Sequence, residues 1–193
     1  MFYRLSVRIT DKFMQYKVIS VEDYELYRYG VQNGCILLFN LLSALAIGFL
    51  CRMPIECCIF LLAFIPLRTF AGGYHAKTAV QCYLYSMLII IGILLGLRFL
   101  RIPVWICAIL SGFGCITTLV LTPVEDMNKP LDSIEKNVYR KRSLLILMIE
   151  ICGLFISLAL HFTQVFHTMA MALFCIGALL IAGFLKNRLW LDT

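Results

Sequence analysis

Charged residues are scarce in this sequence: Asp, Glu, Lys and Arg together make up only 15% of its 193 residues. A soluble domain usually carries about 25%. Hydrophobic residues take the place of the missing charge, since they make up 62% of the chain and give it a mean hydropathy of +0.90. This composition excludes a soluble globular domain and predicts an all-α, polytopic integral membrane helical bundle.

Several signatures of other protein classes are also missing. The sequence has no internal repeat, no low-complexity tract, no P-loop and no dinucleotide fingerprint. Its nine cysteines are scattered without a Cys-x-x-Cys pair, which argues against both a zinc site and a disulfide framework. We therefore expect one membrane domain over residues 1–193, with no cofactor, no metal, no ATP-driven export and no nucleic-acid partner.

Six apolar runs approach the length of about 20 residues that a membrane-spanning helix needs. They predict six transmembrane segments within residues 31–185, at positions 31–50, 54–67, 80–97, 103–122, 144–162 and 166–185. The second run is short for a hydrocarbon core about 30 Å thick. We expect it to recruit Arg52 and Met53, to thin the bilayer, or to dip into it as a re-entrant segment.

The distribution of basic residues tests the six-span prediction, because short loops rich in Lys and Arg remain in the cytoplasm. With the N-terminus inside, only Arg52, Arg98 and Arg101 face outward, which leaves 14 of the 17 basic residues inside. A re-entrant second segment would move the basic cluster at 140–142 outside and break this rule. We therefore predict six full spans, with both termini in the cytoplasm.

The first 30 residues lack the apolar core and the small-residue cleavage site of a secretory signal, so we expect the mature protein to keep them. Hydrophobic and basic residues alternate there at helical spacing: Phe2, Leu5, Ile9, Phe13 and Tyr16 against Arg4, Arg8, Lys12 and Lys17. The pattern predicts an amphipathic helix. This helix either lies on the lipids of an anionic inner leaflet or packs beneath the spans.

A polar stretch, RTFAGGYHAKTAVQCYLYS at residues 68–86, leads into the third apolar run. A reactive cysteine needs its thiolate, which a nearby imidazolium, a lysine or a helix N-terminus favours, and here Cys82 follows His75 and Lys77. A regular helix would hold His75 about 10 Å from Cys82 along its axis. We therefore expect the Gly72-Gly73 hinge to place His75 in a loop or a distorted first turn, folded over Cys82.

The residues alone leave open a second interpretation of this stretch, which is an interfacial histidine beside a packing cysteine. Packing is the role we predict for the cysteines inside the spans, where a thiol differs little from an alanine or serine. These are Cys35, Cys57, Cys58, Cys107, Cys115, Cys152 and Cys175. Cys51 lies near an outer boundary without an obvious partner.

Arg68, the run from Gly72 to Lys77 and Cys82 resemble the signature of the accessory gene regulator B family, the membrane cysteine endopeptidases of Gram-positive quorum sensing. The similarity covers most of the chain. It includes PVEDMNKPL at 123–131, which is similar to the proline-to-Asn-Lys-Pro loop of the family.

The resemblance implies a bacterial cell-membrane enzyme in which Cys82 is the nucleophile and His75 is its base. The implied substrate is a propeptide of the accessory gene regulator D type, which is cut and cyclised as a thiolactone. The sequence ends at Thr193 without a fused precursor, so we expect a separate substrate. A homodimer is compatible with the family.

Other residues are candidates for supporting roles beside Arg68, Gly72, Gly73 and Lys77. Gln81 either donates a hydrogen bond to the oxyanion or is a surface glutamine. Glu150 is an acid inside a span, about two turns from the cytoplasmic end of the fifth predicted helix, and it orients His75, pairs with Arg68 or is protonated. The loop residues Asn128, Lys129 and Pro130 are tentative substrate contacts.

The basic residues of that loop and of the following segment also have two interpretations. They receive an acidic precursor tail, or they simply follow the positive-inside rule beside anionic lipid. These residues are Lys129, Lys136, Arg140, Lys141 and Arg142.

Two functions of other classes remain open. A non-enzymatic transporter or exporter of small peptides would bind its cargo near the midplane, where Asn40, Ser43 and Glu150 are the candidates. A structural membrane partner would leave the Gly-Gly-His-to-Cys stretch unexplained.

Overall fold

A computed structural model of the chain describes residues 2–74, 76, 78–125 and 131–191, with the side chains of residues 79, 190 and 191 excepted. This part of the chain is all-helical apart from a single β-bridge. The helices are α1 (Phe2–Gln15), α2 (Tyr24–Leu50), α3 (Pro54–Ala71), α4 (Ala79–Phe99), α5 (Val104–Leu121), α6 (Ser133–Ala159) and α7 (Thr163–Leu191). Helices α2 to α7 are each long and apolar enough to cross a membrane. The predicted all-α, six-span architecture is therefore confirmed.

Helix α6 starts well before the apolar run that predicted it, at Ser133 rather than at residue 144. Asp132 forms a capping box there: its side chain accepts a hydrogen bond from the Ile134 N–H at 3.0 Å, and its own N–H donates to Glu135 Oε2 at 3.2 Å. The Lys- and Arg-rich residues that follow are good helix formers. Apolar runs mark the part of a helix that lipid can cover, whereas capping sets where the helix begins.

Helix α3 gains length at its C-terminal end rather than by recruiting Arg52 and Met53. It begins at Pro54, directly after the N-cap residue Met53, and continues past the predicted end at residue 67 to Ala71. At a rise of 1.5 Å per residue, its 18 residues cover about 27 Å. The second apolar segment is thus one continuous helix of nearly the thickness of the bilayer core.

The structure divides into two compact units, Met1–Ala46 and Ile47–Thr193. In the first unit, α1 packs back on α2: the Phe2 and Phe39 rings lie 5.5 Å apart, and the Tyr24 hydroxyl donates a hydrogen bond to Asp11 at 2.7 Å. The Ser6 hydroxyl, fully buried, bonds the carbonyl of its own helix one turn back. These contacts favour the packed form of the predicted amphipathic helix.

In the second unit, the core forms around α7, which packs against α3, α5 and α6. Its buried apolar residues come from all of these helices and from the segment after α5: Leu67, Ala71, Cys107, Val124, Leu147, Leu154, Phe166, Ala170, Leu173, Ile176 and Leu180. Val124 is the one member of this cluster that lies outside a helix. Its inclusion ties the segment after α5 to the core.

The two ends of this bundle carry different contacts. At one end, Gln164 at the start of α7 donates a hydrogen bond to Glu56 at the start of α3, at 3.4 Å. At the opposite end, the end of α3 meets the segment after α5 through a parallel β-bridge between Gly72 and Val124, and Asn187 of α7 donates a hydrogen bond to the Glu125 carbonyl at 2.9 Å. The segment from Gly72 to Cys82 starts at this second end.

Candidate active site

Cys82 lies in the first turn of α4, at the end of the bundle that carries the β-bridge. Thr78 is the N-cap residue, and the Cys82 N–H donates the first bond of the helix to the Thr78 carbonyl at 3.0 Å. The Cys82 side chain is partly exposed. The N-terminus of a helix attracts anions, and Cys82 lies within this first turn.

Gln81 contributes its backbone to the start of the same helix. Its N–H donates a hydrogen bond to the Thr78 hydroxyl oxygen at 3.2 Å, whereas its side chain is exposed. The backbone N–H is therefore used in capping. The side-chain amide is the group to which the predicted oxyanion role applies, and that role stays a prediction.

The cysteines that were assigned to spans lie inside helices, but they differ in burial. All seven that were assigned to spans fall inside α2, α3, α5, α6 or α7. Cys57 and Cys107 are completely buried, whereas Cys58 and Cys152 are exposed on helices whose surroundings would be lipid. Among the described residues, no group of three or more His, Cys, Asp or Glu side chains could hold a metal ion.

The residues from Gly72 to Tyr74, here called the glycine strand, leave α3 in an extended conformation. Gly72 and Gly73 have φ angles of 78° and 117°, a region that side chains other than glycine rarely adopt. The Gly73 N–H donates to the Val124 carbonyl at 3.2 Å, and the Val124 N–H donates to the Ala71 carbonyl at 2.9 Å. The predicted hinge therefore pairs with the segment after α5 through a single β-bridge.

The glycine strand also contacts α7. The Tyr74 N–H donates a hydrogen bond to the carbonyl oxygen of Leu179 at 2.8 Å. Gly183, one turn further along α7, lies against the backbone of Gly73 and Tyr74, and a Cβ atom at position 183 would stand only 2.6 Å from the Tyr74 nitrogen. The strand thus lies directly on the backbone of the last helix.

Arg68, in the last turn of α3, holds the strand from the side. Its guanidinium donates from Nη1 to the Gly72 carbonyl and from Nη2 to the Tyr74 carbonyl, the second at 2.5 Å. A planar guanidinium presents several donors in a fixed arrangement, which suits two carbonyls of one strand. Arg68 therefore fixes the chain on both sides of Gly73.

Glu150 is buried in α6, with 5% of its surface exposed, and its two carboxyl oxygens have no hydrogen-bond partner among the described residues. Arg68, one of its predicted partners, donates to the glycine strand. Because α6 begins at Ser133, Glu150 lies almost five turns from the start of the helix. The expected depth of about two turns was wrong, since it assumed that the helix began with the apolar run.

Tyr74 connects the glycine strand to two helices through its ring. The Tyr85 ring of α4 lies 6.5 Å from it, and Lys186 Nζ of α7 lies 5.2 Å from its centroid. Tyr85 is three positions after Cys82 in the same helix. The residue that precedes His75 therefore contacts the helix that carries the predicted nucleophile.

Five of the predicted site residues lie outside the described residues: His75, Lys77, Asn128, Lys129 and Pro130. The neighbours of His75 and Lys77 are described, and these three residues, Tyr74, Ala76 and Thr78, are all non-helical. Helix α4 therefore begins after Thr78 and does not extend back to Ala76.

Sequence reasoning missed Glu125 as a separate feature of the 123–131 stretch. Glu125 Oε1 lies 2.6 Å from Lys136 Nζ, and Glu125 Oε2 accepts a hydrogen bond from the Leu131 N–H at 3.1 Å. The hydrogen bond from Lys136 is the largest cause that lowers the pKa of Glu125 below its ordinary value. The sequence signal was a pair of adjacent acids, Glu125 and Asp126, ahead of the basic residues that follow.

Comparison of the sequence with known proteins identifies its relatives. A sequence model described as "Accessory gene regulator B" matches residues 6–185. A Clostridium perfringens (strain SM101 / Type A) protein named "Putative AgrB-like protein" is 29% identical over 170 residues, which cover 84% of this chain and 79% of that protein. "Putative AgrB-like protein 2" of Clostridium perfringens (strain 13 / Type A) is 28% identical over 151 residues, covering 74% and 71%.

No solved structure matches the chain. The family match nevertheless extends from α1 into the second half of α7, and it includes the whole segment from Arg68 to Cys82. The chain therefore belongs to the accessory gene regulator B family.

Proposed function

We propose that this protein is a membrane cysteine endopeptidase that cleaves a quorum-sensing propeptide of the accessory gene regulator D type at the cytoplasmic face. Cys82 is the nucleophile and His75 is its general base. The observation that carries the proposal is the place of Cys82, partly exposed in the first turn of α4. Tyr85 of the same helix contacts the ring of Tyr74, the residue that precedes His75. Family membership supports the choice of substrate class.

In the first step, the Cys82 sulfur attacks the carbonyl carbon of the scissile peptide bond while His75 takes the thiol proton. The carbon–nitrogen bond then breaks, and His75 gives that proton to the departing amine. The C-terminal fragment of the propeptide leaves. The N-terminal part remains as a thioester on Cys82.

In the second step, the thiol of a cysteine within the propeptide attacks the thioester carbonyl. A new carbon–sulfur bond forms, the bond to Cys82 breaks, and the proton of the attacking thiol passes through His75 to the Cys82 sulfur. The product is a cyclic thiolactone. One thioester replaces another, so the exchange needs no external energy, and apolar walls at the bilayer edge disfavour the competing attack by water.

The position of the site fits a propeptide made in the cytosol. Cys82, the glycine strand and the segment around Glu125 lie at one end of the bundle, which is also the end that carries most of the basic residues of the second unit. The positive-inside rule assigns this end to the cytoplasm, together with both termini. A propeptide lying on the inner leaflet reaches Cys82 without crossing the bilayer.

The test is co-expression of the chain with its propeptide, followed by detection of the released C-terminal fragment. Cys82→Ala and His75→Ala should each abolish cleavage while the protein still reaches the membrane. Cys58→Ala is the matched control. Cys58 is also exposed, but it lies near the start of α3, whereas the segment that leads to His75 follows the end of that helix. Normal processing by Cys82→Ala would disprove the proposed function.

A further inference from the structure

We propose that one face of α7, made by Leu179, Gly183, Lys186 and Asn187 and here called the α7 face, positions the glycine strand for catalysis. This inference rests on the proposed function. The four residues follow the spacing i, i+4, i+7 and i+8, so they lie along one side of the helix near its cytoplasmic end. Each of them contacts the glycine strand or the segment paired with it.

The first two contacts of the α7 face are made by backbone. The Leu179 carbonyl accepts a hydrogen bond from the Tyr74 N–H at 2.8 Å, using one of the two lone pairs that a carbonyl oxygen offers. Gly183 makes room for this approach, since a Cβ atom there would lie 2.6 Å from the Tyr74 nitrogen and 2.9 Å from the Gly73 Cα. Any larger residue at position 183 must push the glycine strand away from α7.

The other two contacts are made by side chains. Lys186 Nζ lies 5.2 Å from the centroid of the Tyr74 ring, within the range of a cation–π interaction. Asn187 Nδ2 donates a hydrogen bond to the Glu125 carbonyl at 2.9 Å. Glu125 directly follows Val124, the partner of Gly72 in the β-bridge. The α7 face therefore contacts the chain directly after each member of the bridge.

The consequence for catalysis follows from the order of the residues. Tyr74 is the last residue before His75, so the position of the Tyr74 backbone constrains the position of the His75 backbone. A misplacement of about 1 Å between catalytic groups can cost about 100-fold in rate. Gly183, Lys186 and Asn187 act through Tyr74 and Glu125 rather than on the substrate, and they are positioning residues.

The decisive variant is Gly183→Ala, with Gly112→Ala as its control. Both glycines lie inside long helices, but a Cβ atom at Gly112 would meet nothing within 4 Å. Purified protein in liposomes is assayed with synthetic propeptide. We expect kcat of Gly183→Ala to fall about 100-fold with KM nearly unchanged, whereas Gly112→Ala keeps both values.

A second readout separates positioning from general damage to the fold. The rate of Cys82 alkylation by iodoacetamide, followed by mass spectrometry between pH 6 and pH 8, reports how much thiolate the site holds. In Gly183→Ala, alkylation at pH 6 should slow several-fold, because a shift of Tyr74 also shifts the proposed general base that follows it, His75. In Gly112→Ala the pH profile should match that of the wild type.

Variants with changes only in side chains cover the case in which Gly183→Ala does not reach the membrane. Lys186→Met should lower kcat and alter the alkylation profile, and Lys186→Arg, which keeps a cation over the Tyr74 ring, should restore both. Wild-type kcat and alkylation in Gly183→Ala, or in Lys186→Met if that is the variant that folds, would overturn the positioning role. Cys82→Ala in the same assay tests the proposed function separately, since cleavage by that variant would overturn the enzyme itself.

Discussion

Lys136 Nζ lies 2.6 Å from Glu125 Oε1, and this ion pair joins the first turn of α6 to the chain that follows the β-bridge. The other carboxylate oxygen of Glu125 accepts a hydrogen bond from the Leu131 N–H. The side chain of Glu125, the residue after Val124, therefore contacts both α6 and Leu131, the residue that follows the 126–130 stretch. The charge of this carboxylate should therefore affect both the ion pair with Lys136 and the hydrogen bond from Leu131.

The pair predicts a pH dependence. Because the folded state lowers the pKa of Glu125 below its ordinary value of 4.5, the stabilisation is present above that value and is lost as pH falls through the lowered one. Near pH 7, Lys136→Met should raise the exchange rate of the Leu131 amide with deuterium about two- to fivefold, since both partners are partly exposed and screening limits the pair to about 0.2–1 kcal/mol. At an acidic pH below the lowered pKa, where Glu125 is protonated, the variant and the wild type should exchange alike.

Hydrogen-exchange mass spectrometry at both pH values measures this ratio. Comparing variant with wild type at one pH removes the intrinsic effect of pH on exchange. Arg140→Met is the control, because it removes an exposed positive charge of the same helix that is not the ion-pair partner of Glu125. An equal ratio at both pH values would show that the ion pair does not stabilise the hydrogen bond of the Leu131 amide.

A second prediction concerns Arg68 and its two carbonyl partners. Lysine places one ammonium where arginine places a planar group of donors, so Arg68→Lys cannot hold both Gly72 and Tyr74. We expect this variant to reach the membrane but to cleave the propeptide about 10- to 100-fold more slowly. Cleavage is measured in membranes normalised for protein amount.

The matched control for this variant is Arg98→Lys. Arg98 also donates to a backbone carbonyl, that of Cys51 at 2.6 Å, but it does so at the opposite end of the bundle. We expect its cleavage rate to stay at the wild-type level. If both substitutions reduced cleavage equally, Arg68 would have no particular connection to the site.

Hydropathy predicted the six long helices because lipid must cover the apolar part of each one. It misplaced the ends of α2, α3 and α6 because helices continue past the lipid, where capping and helix propensity decide. The start of α6 shows the difference most clearly. Asp132 and Glu135 form a recognisable capping box, but the basic residues after Glu135 resemble a loop when only hydropathy is considered.

The glycine pair predicted a break in the chain before His75, and residues 72–74 form such a break. The partners of this strand were not predictable in the same way. Val124 and Leu179 contact it through backbone atoms, which leave no side-chain pattern in a sequence. Gly183 lies in an apolar run. In such a run, the sequence does not distinguish a glycine that allows another backbone segment to approach closely from a glycine that faces lipid.

Glu150 leads to a third prediction. The guanidinium of Arg142 in α6 lies 5.3 Å from the ring of Phe70, two residues before the glycine strand, and Glu150 is about 12 Å further along the axis of α6. This separation is too large for a hydrogen bond between Glu150 and a histidine beside Tyr74. We therefore expect Glu150→Gln to cleave the propeptide at close to the wild-type rate.

Replacing Glu150 with leucine should also raise stability. The change removes two buried oxygens without a partner among the described residues, each of which costs about 1–3 kcal/mol. Unfolding in detergent should shift upward by several degrees, since about 1 kcal/mol corresponds to about 2–4 °C for a chain of this size. A folded Glu150→Gln protein that no longer cleaves would instead assign Glu150 to the orientation of His75.

A fourth prediction concerns the orientation in the membrane. Gln164 lies at the end of the bundle opposite to Glu125 and Leu131, the residues that flank the stretch containing Asn128. With the site in the cytoplasm, an impermeant maleimide added to intact cells should label Gln164→Cys and spare Asn128→Cys, in a background without accessible thiols. Lysed cells should label both positions. The reverse pattern in intact cells would place the site outside.

The final prediction separates the two chemical steps at Cys82. If the internal cysteine of the propeptide is replaced with serine, the first step is unaffected, because Cys82 still attacks the same peptide bond. The second step slows, because a serine hydroxyl stays protonated near neutral pH and is a poor acceptor for the acyl group. A thioester between Cys82 and the N-terminal part of the propeptide should therefore accumulate. Mass spectrometry of the trapped protein identifies the cysteine that carries it.

Hydroxylamine should release this adduct, and Cys82→Ala should not form it. Cys35→Ala provides a control, since Cys35 lies within α2 and outside the predicted site, and it should trap the adduct at the normal level. Because an acyl group can be transferred only to a sulfur that reaches the scissile carbonyl, the modified position identifies the nucleophile directly. An adduct on another cysteine, or cleavage that proceeds with no adduct on any cysteine, would show that Cys82 does not carry the acyl group.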